Sequence, residues 1–122
     1  MNLIEGTIRH VDSEGIVFAT AQGQALPLAG SLPVRIGEKV TLGLRPEHVQ
    51  TSDEGEGWIL TVTLAEQHGA SSYIHGTLPD GIPFLVQETG QSLRKTGDTV
   101  RIAPIGNKWH LFDATGQRIE TC

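Results

Sequence analysis

The segment Gly90-Gln91-Ser92-Leu93-Arg94-Lys95-Thr96 is the nearest the chain comes to a phosphate-cradling loop. Such a loop needs glycines that let backbone N–H groups converge on the anion, then a lysine and a hydroxyl residue opening a helix. Here no glycine directly precedes the lysine, and Gly97-Asp98 follows in place of a helix. Nucleotide binding by this segment is therefore not expected. The five histidines stand at 10, 48, 68, 75 and 110, with no two imidazoles four apart, and Cys122 is the only cysteine. No zinc set is written in that spacing, and only the fold can bring distant imidazoles together. Ser71 and Ser72 lie near His68, but Gly69-Ala70-Ser71-Ser72 lacks the pattern of a nucleophile on a sharp strand-to-helix turn and reads as turn-forming sequence. Glu54, Glu56 and Glu66 read as solvated charges, and no acid is expected to have a shifted pKa.

The elements that must position these residues are strands. Fifteen glycines and six prolines are spread over 122 residues without long Ala/Leu/Glu/Lys stretches at helical spacing, which favours many short strands joined by turns. Trp58, Leu60, Val62 and Leu64 alternate with Ile59, Thr61 and Thr63, as Val40, Leu42 and Leu44 do with Thr41, Gly43 and Arg45. A period of two puts each set on one face of an extended strand. Further strands are expected over 3–11, 15–20, 24–28, 70–78, 82–87, 99–105 and 108–113, about nine in all. Asp80-Gly81 suits a tight hairpin, and Gly106-Asn107 is expected to do the same between two late strands. The one helical turn is expected to start at Pro46, whose fixed φ fits a first helical position, and to run to Val49.

Charge and apolar run length limit the partners. Nine basic against fourteen acidic residues give a net charge of −5, which repels a phosphate backbone or an anionic membrane surface over most of the molecule. Small β-barrels bind single-stranded nucleic acid by stacking bases on aromatic side chains in a basic groove. Trp58, Phe84, Trp109 and Phe112 alternate with polar residues and read as core, so no nucleic-acid partner is expected. No apolar run approaches the ~20 residues of a membrane-spanning helix. Met1 to Glu5 also lacks the flanks of a secretion signal. A cytoplasmic chain without direct membrane insertion is expected.

The two halves repeat at an offset of 60 positions. Arg35, Gly37, Glu38, Val40 and Leu42 face Lys95, Gly97, Asp98, Val100 and Ile102, the shared pattern being a turn that leads into a half-buried strand. This implies duplication of a small barrel-like module, with modules over approximately 1–50 and 57–122 and the polar, acidic stretch 51–57 as link.

The segment Gly37-Glu38-Lys39-Val40-Thr41-Leu42-Gly43-Leu44-Arg45-Pro46-Glu47-His48-Val49 resembles the Leu-Gly-Ile-Arg-Pro-Glu-His signature of the C-terminal regulatory region in carbohydrate-importer ATPases. Met1-Asn2-Leu3-Ile4-Glu5-Gly6 looks like the junction that follows the ATPase domain in that family. Glu66-Gln67-His68-Gly69, His110-Leu111-Phe112-Asp113 and Thr115-Gly116-Gln117-Arg118 are similar to its later marks, in the same order. The resemblance covers essentially the whole chain and looks closest to the glycerol-3-phosphate branch.

What the resemblance implies is an all-β chain of tandem small OB-like (TOBE/MOP-like) barrel modules with minimal helix, acting as a regulatory and dimerisation domain of an ABC importer ATPase for a sugar or glycerol 3-phosphate. The implied partners are a second copy of the ATPase subunit, a regulatory protein and the transmembrane permease subunits, at the inner face of the cell membrane. No catalysis and no cofactor are expected in the chain itself, ATP and magnesium belonging to the parent ATPase domain. The alternative is a small-oxyanion module of the molybdate type, although the Ser-Ala-Arg-Asn stretch of those proteins is missing. For protein contacts the candidate residues are Gly43, Arg45, Pro46, Glu47 and His48: a rigid turn presenting Glu47 and His48 makes a docking feature.

Overall fold

The computed structural model describes residues 1–53, 57–90 and 94–120. Glu54, Glu56, Cys122 and the centre of the loop-like segment 90–96 fall outside them. Among the described residues, ten strands form two five-stranded antiparallel sheets. The first sheet has the order β10-β4-β1-β2-β3 and the second β5-β9-β6-β7-β8. The strands are β1 (Asn2–Val11), β2 (Gly15–Thr20), β3 (Ala25–Ala29), β4 (Lys39–Leu44), β5 (Val49–Ser52), β6 (Trp58–His68), β7 (Ser71–Thr77), β8 (Pro83–Thr89), β9 (Thr99–Pro104) and β10 (His110–Phe112). The all-β expectation of OB-type modules holds, with a single 3₁₀ turn among the described residues, Pro46–His48, where the proline was expected to start one.

The two segments that repeat in the sequence make the same hydrogen-bonded turn. Glu38 N–H donates to Arg35 O and Asp98 N–H to Lys95 O, both at 3.0 Å. Each acid then closes its turn from the side chain: Arg35 N–H donates to Glu38 Oε1 at 3.1 Å and Lys95 N–H to Asp98 Oδ2 at 2.9 Å. Gly37 and Gly97 sit at φ 88° and 93°, a left-handed conformation that glycine adopts without a Cβ penalty. Their N–H groups donate to Ile8 O and Val62 O at 2.7 and 2.8 Å. Those acceptors adjoin bulges, one between Ile8 and His10 and one between Val62 and Leu64.

The bulge in β6 corrects one expectation. Trp58, Leu60 and Val62 are buried, but Leu64 is 50% exposed, because the extra residue reverses which face the alternation presents. Phe112, expected in the core, is instead half-buried on the outer face of the first sheet.

Each sheet also takes a strand from the other half of the chain. β10 leaves the second half of the chain and pairs with β4, Leu111 opposite Leu42, while β5 leaves the first half and pairs with β9, Thr51 opposite Ile102. Gly106-Asn107 therefore does not make a hairpin, since β9 and β10 lie in different sheets, and the stretch expected as link begins as a strand. Trp109 fastens the exchanged end, its Nε1–H donating to Ala29 O at 2.8 Å at the end of β3. Buried side chains of both sheets form one cluster. Phe18 meets Trp58 inside it at 5.9 Å between ring centroids, and Trp58 Nε1–H donates to Gln24 O at 3.1 Å.

Candidate functional site

The five sequence-predicted contact residues lie where the chain passes from one sheet to the other. β4 ends at Leu44; Arg45 remains extended, at φ −75° and ψ 142°, because the residue before a proline is pushed out of the helical region. Pro46 opens the 3₁₀ turn, His48 N–H donates to Arg45 O at 2.9 Å, and Val49 turns back into β5. Ile105 N–H donates to His48 O at 2.9 Å, tying the turn to the end of β9. Arg45 and Glu47 are exposed, Pro46 and His48 half-buried, and Gly43 buried. A Cβ on Gly43 would lie 2.9 Å from Phe112 Cε2 and 3.1 Å from Met1 Sδ, so the missing side chain makes room for an apolar cluster on the outer face. Met1 and Leu3 are 55% and 58% exposed there. They line, with Ile82 and Phe112, a cavity of about 770 Å³.

Arg45 has no carboxylate within 4.0 Å among the described residues, and neither has Arg118. What the strand exchange brings to Arg45 is His110, whose register partner is Gly43, two residues before the arginine. His110 Nδ1 is buried without a hydrogen-bond partner. Burial holds the imidazole below its ordinary pKa of 6.5, and the positive charges of Arg118, Arg45 and His48 push the same way. Arg118 arrives opposite Phe112 from the last described segment. Sequence reasoning missed His110 and Arg118, whose only local signal was membership of the closing motifs.

A second group gathers on the β6–β7 hairpin. Glu66 Oε1 lies 2.6 Å from His75 Nε2 and its other oxygen 3.6 Å from His68 Nε2, and His68 packs edge-on against Tyr73. Two imidazoles thus share one carboxylate, although no described group of three or more His, Cys, Asp and Glu residues is arranged to hold a metal ion. Two surface aspartates have lowered pKa values, against expectation. Backbone N–H groups of Glu14 and Gly15 favour the charged form of Asp12. The Thr115 hydroxyl and the Gln117 N–H do so for Asp113. Both aspartates hold turns.

Two family models match the chain: the MalK OB fold domain over residues 1–49 and the TOBE domain over residues 42–112. The second takes in more than half of the sequence, including the whole sheet-to-sheet turn. The chain belongs to the TOBE domain family. As a TOBE chain it is similar to the sn-glycerol-3-phosphate import ATP-binding protein UgpC of Escherichia coli O157:H7, with 37% identity over 121 residues, 98% of this chain and 33% of that protein. The UgpC of Salmonella typhi is 36% identical over the same share of each chain, and UgpC 3 of Agrobacterium fabrum is 34% identical over 102 residues, 80% of this chain and 28% of that one. This TOBE chain spans about a third of the length of those relatives. Among solved structures it resembles the cytoplasmic molybdate-binding protein ModG in its molybdate-bound form. The TM-score is 0.72 at 15% identity, over 90% of this chain and 94% of that one, a likeness of fold alone.

Proposed function

We propose that this TOBE chain is the regulatory and dimerisation module of the ATP-binding subunit of a bacterial importer of glycerol 3-phosphate or a related solute. The observation that carries the reading is identity of 36–37% along 98% of the chain with proteins named for glycerol-3-phosphate import. In this reading ATP, magnesium and hydrolysis belong to a domain outside these 122 residues, and the module itself uses no cofactor. It works at the cytoplasmic face, where two copies of the subunit and the permease subunits meet.

Contact between copies is assigned to the sheet-to-sheet turn. Arg45 and Glu47 project from a backbone fixed by Pro46 and by the His48–Ile105 hydrogen bond, so little conformational freedom is lost on docking. The turn displays opposite charges side by side, an arrangement that sets orientation between partners. The test is sedimentation of an ATP-binding subunit in which this chain replaces the matching third. The expected result is a dimer whose dissociation constant rises about tenfold or more in the Glu47→Lys variant. A dimer unchanged by Glu47→Lys, in a variant with wild-type thermal unfolding, removes the turn from the interface.

A further inference from the structure

We propose that the cavity on the outer face of the first sheet binds a free alkylamine, its ammonium group held by Glu5 and Asp80 and its apolar stem laid against Met1, Leu3, Ile82 and Phe112. This adds a ligand to the regulatory role above and stands independently of it.

Four stretches of chain meet at this cavity of about 770 Å³: the start of β1, the β2–β3 turn, the β7–β8 hairpin and the turn after β10. Both sheets thus contribute to it, and its size falls within the roughly 300–1,000 Å³ of small-molecule sites. Its walls are set by backbone. The Asn2 side chain bonds to Leu85 N–H and O, holding the start of β1 against β8. Leu78 N–H donates to Ile82 O at 2.9 Å and Gly81 N–H to Leu78 O at 2.8 Å, closing the hairpin that carries Asp80. Register places Glu5 beside the apolar residues: Leu3 lies opposite Gly43, and Glu5 lies opposite Thr41, whose other neighbour is Phe112. Paired and alternate residues share a face, so Leu3, Glu5 and Phe112 all point outward.

Charge and apolar exposure together define the ligand. Met1 and Leu3 are exposed and Ile82 and Phe112 half-buried at the same cavity. Neither Glu5 nor Asp80 has an ion-pair partner among the described residues. Asp80 Oδ1 is also buried without a hydrogen bond, which leaves the carboxylate short of the solvation its charge requires. A cation in the cavity offsets that deficit through its field, without having to reach the enclosed oxygen. An anion is repelled by both carboxylates, and a neutral apolar molecule leaves their charge as it is. An ammonium group on an aliphatic stem meets both demands, because its methylenes cover apolar surface while its compact charge stays with the carboxylates. Lys39, opposite Thr7 one step further along the same face, is the opposing charge and weakens the site.

The experiment titrates the full chain with hexylamine, 1-hexanol and hexanoate, three probes of equal stem and different charge, following the Leu3 methyl and Phe112 ring signals by NMR. Saturable binding of hexylamine is expected with Kd of about 1 mM or tighter. Its affinity should exceed that of hexanol about fivefold and fall with added salt, and hexanoate should bind weakest. Glu5→Gln and Asp80→Asn should each weaken hexylamine about threefold and leave hexanol unchanged, while Lys39→Gln should strengthen hexylamine. Equal affinity for hexylamine and hexanol overturns the proposal, since the carboxylates then contribute nothing. So does a Glu5→Gln/Asp80→Asn double variant that unfolds like the wild type and binds hexylamine as tightly, or the absence of saturable change at about 10 mM. Sedimentation of the same samples tests the other occupant: a dimer that shields the Leu3 methyls and is unmoved by hexylamine puts a second copy on this face and overturns the amine.

Discussion

The Asn2 carboxamide exchanges two hydrogen bonds with the backbone of Leu85: Nδ2 donates to Leu85 O and Leu85 N–H donates to Oδ1, each at 2.8 Å. One side chain thereby acts as a strand residue for the edge of β8, 83 positions away, and ties the first sheet to the second. Nδ2 also donates to Leu44 O at 3.1 Å, beside the sheet-to-sheet turn. Asn2→Ala leaves these part-buried backbone groups without their partner and should lower stability by about 1–3 kcal/mol in urea unfolding. Asn2→Asp keeps the acceptor but turns a carboxylate toward two carbonyl oxygens, and should cost more than the alanine.

Two glycines should respond oppositely to a methyl group. A Cβ on Gly6 would lie 2.2 Å from Ala19 O and 2.6 Å from Phe18 Cζ, and a backbone carbonyl in a paired strand cannot step aside. Gly6→Ala should cost about 3 kcal/mol or more, or abolish folding. On Gly43 the nearest atoms belong to the side chains of Phe112 and Met1, which lie on the outer face and can move. Gly43→Ala should cost under about 1.5 kcal/mol and displace the Phe112 ring, read by thermal unfolding and by ring chemical shifts.

Strand exchange makes a third prediction. Leu111 belongs to the second half of the sequence but is fully buried against β4. Leu111→Ala should cost about 2–5 kcal/mol. Amide hydrogen exchange should then accelerate first in β1 and β4 of the first sheet, while β6 and β7 keep their protection. Acceleration confined to the second sheet contradicts the pairing.

His110 sets a pH dependence whose sign is fixed. Its folded pKa lies below the ordinary 6.5 because of burial and then the neighbouring cations, so on acidification the unfolded chain takes up the proton first. Stability from this group is therefore present above about 6.5 and is lost as pH falls from there through the depressed folded value. Urea midpoints between about pH 5 and 8 should show the loss, and His110→Gln should flatten it.

Much of the fold was legible because burial on one side of a sheet writes a period of two into the sequence. Val40, Leu42, Leu44, Trp58, Leu60 and Val62 all show it and are buried. Leu64 departs because a bulge changes the phase without any local mark that periodicity registers. Val49-Gln50-Thr51-Ser52 was not read as a strand: it is short, mostly polar and follows a helical turn, and it pairs because β9 offers it an edge. The Arg45-Pro46-Glu47-His48 turn could be read from the proline and the motif. Its relation to His110 and Arg118 could not, because only the exchange of β10 into the first sheet joins segments so distant in the chain.

The central claim, that this chain serves as the regulatory module of an importer's ATP-binding subunit, is tested most directly by uptake. Glycerol 3-phosphate uptake would be measured in Escherichia coli cells whose only copy of the related import ATP-binding protein has its matching third replaced by this chain. The expected result is uptake well above that of cells in which that third is deleted. A chimera that accumulates, hydrolyses ATP and still leaves uptake at the deletion level contradicts the claim.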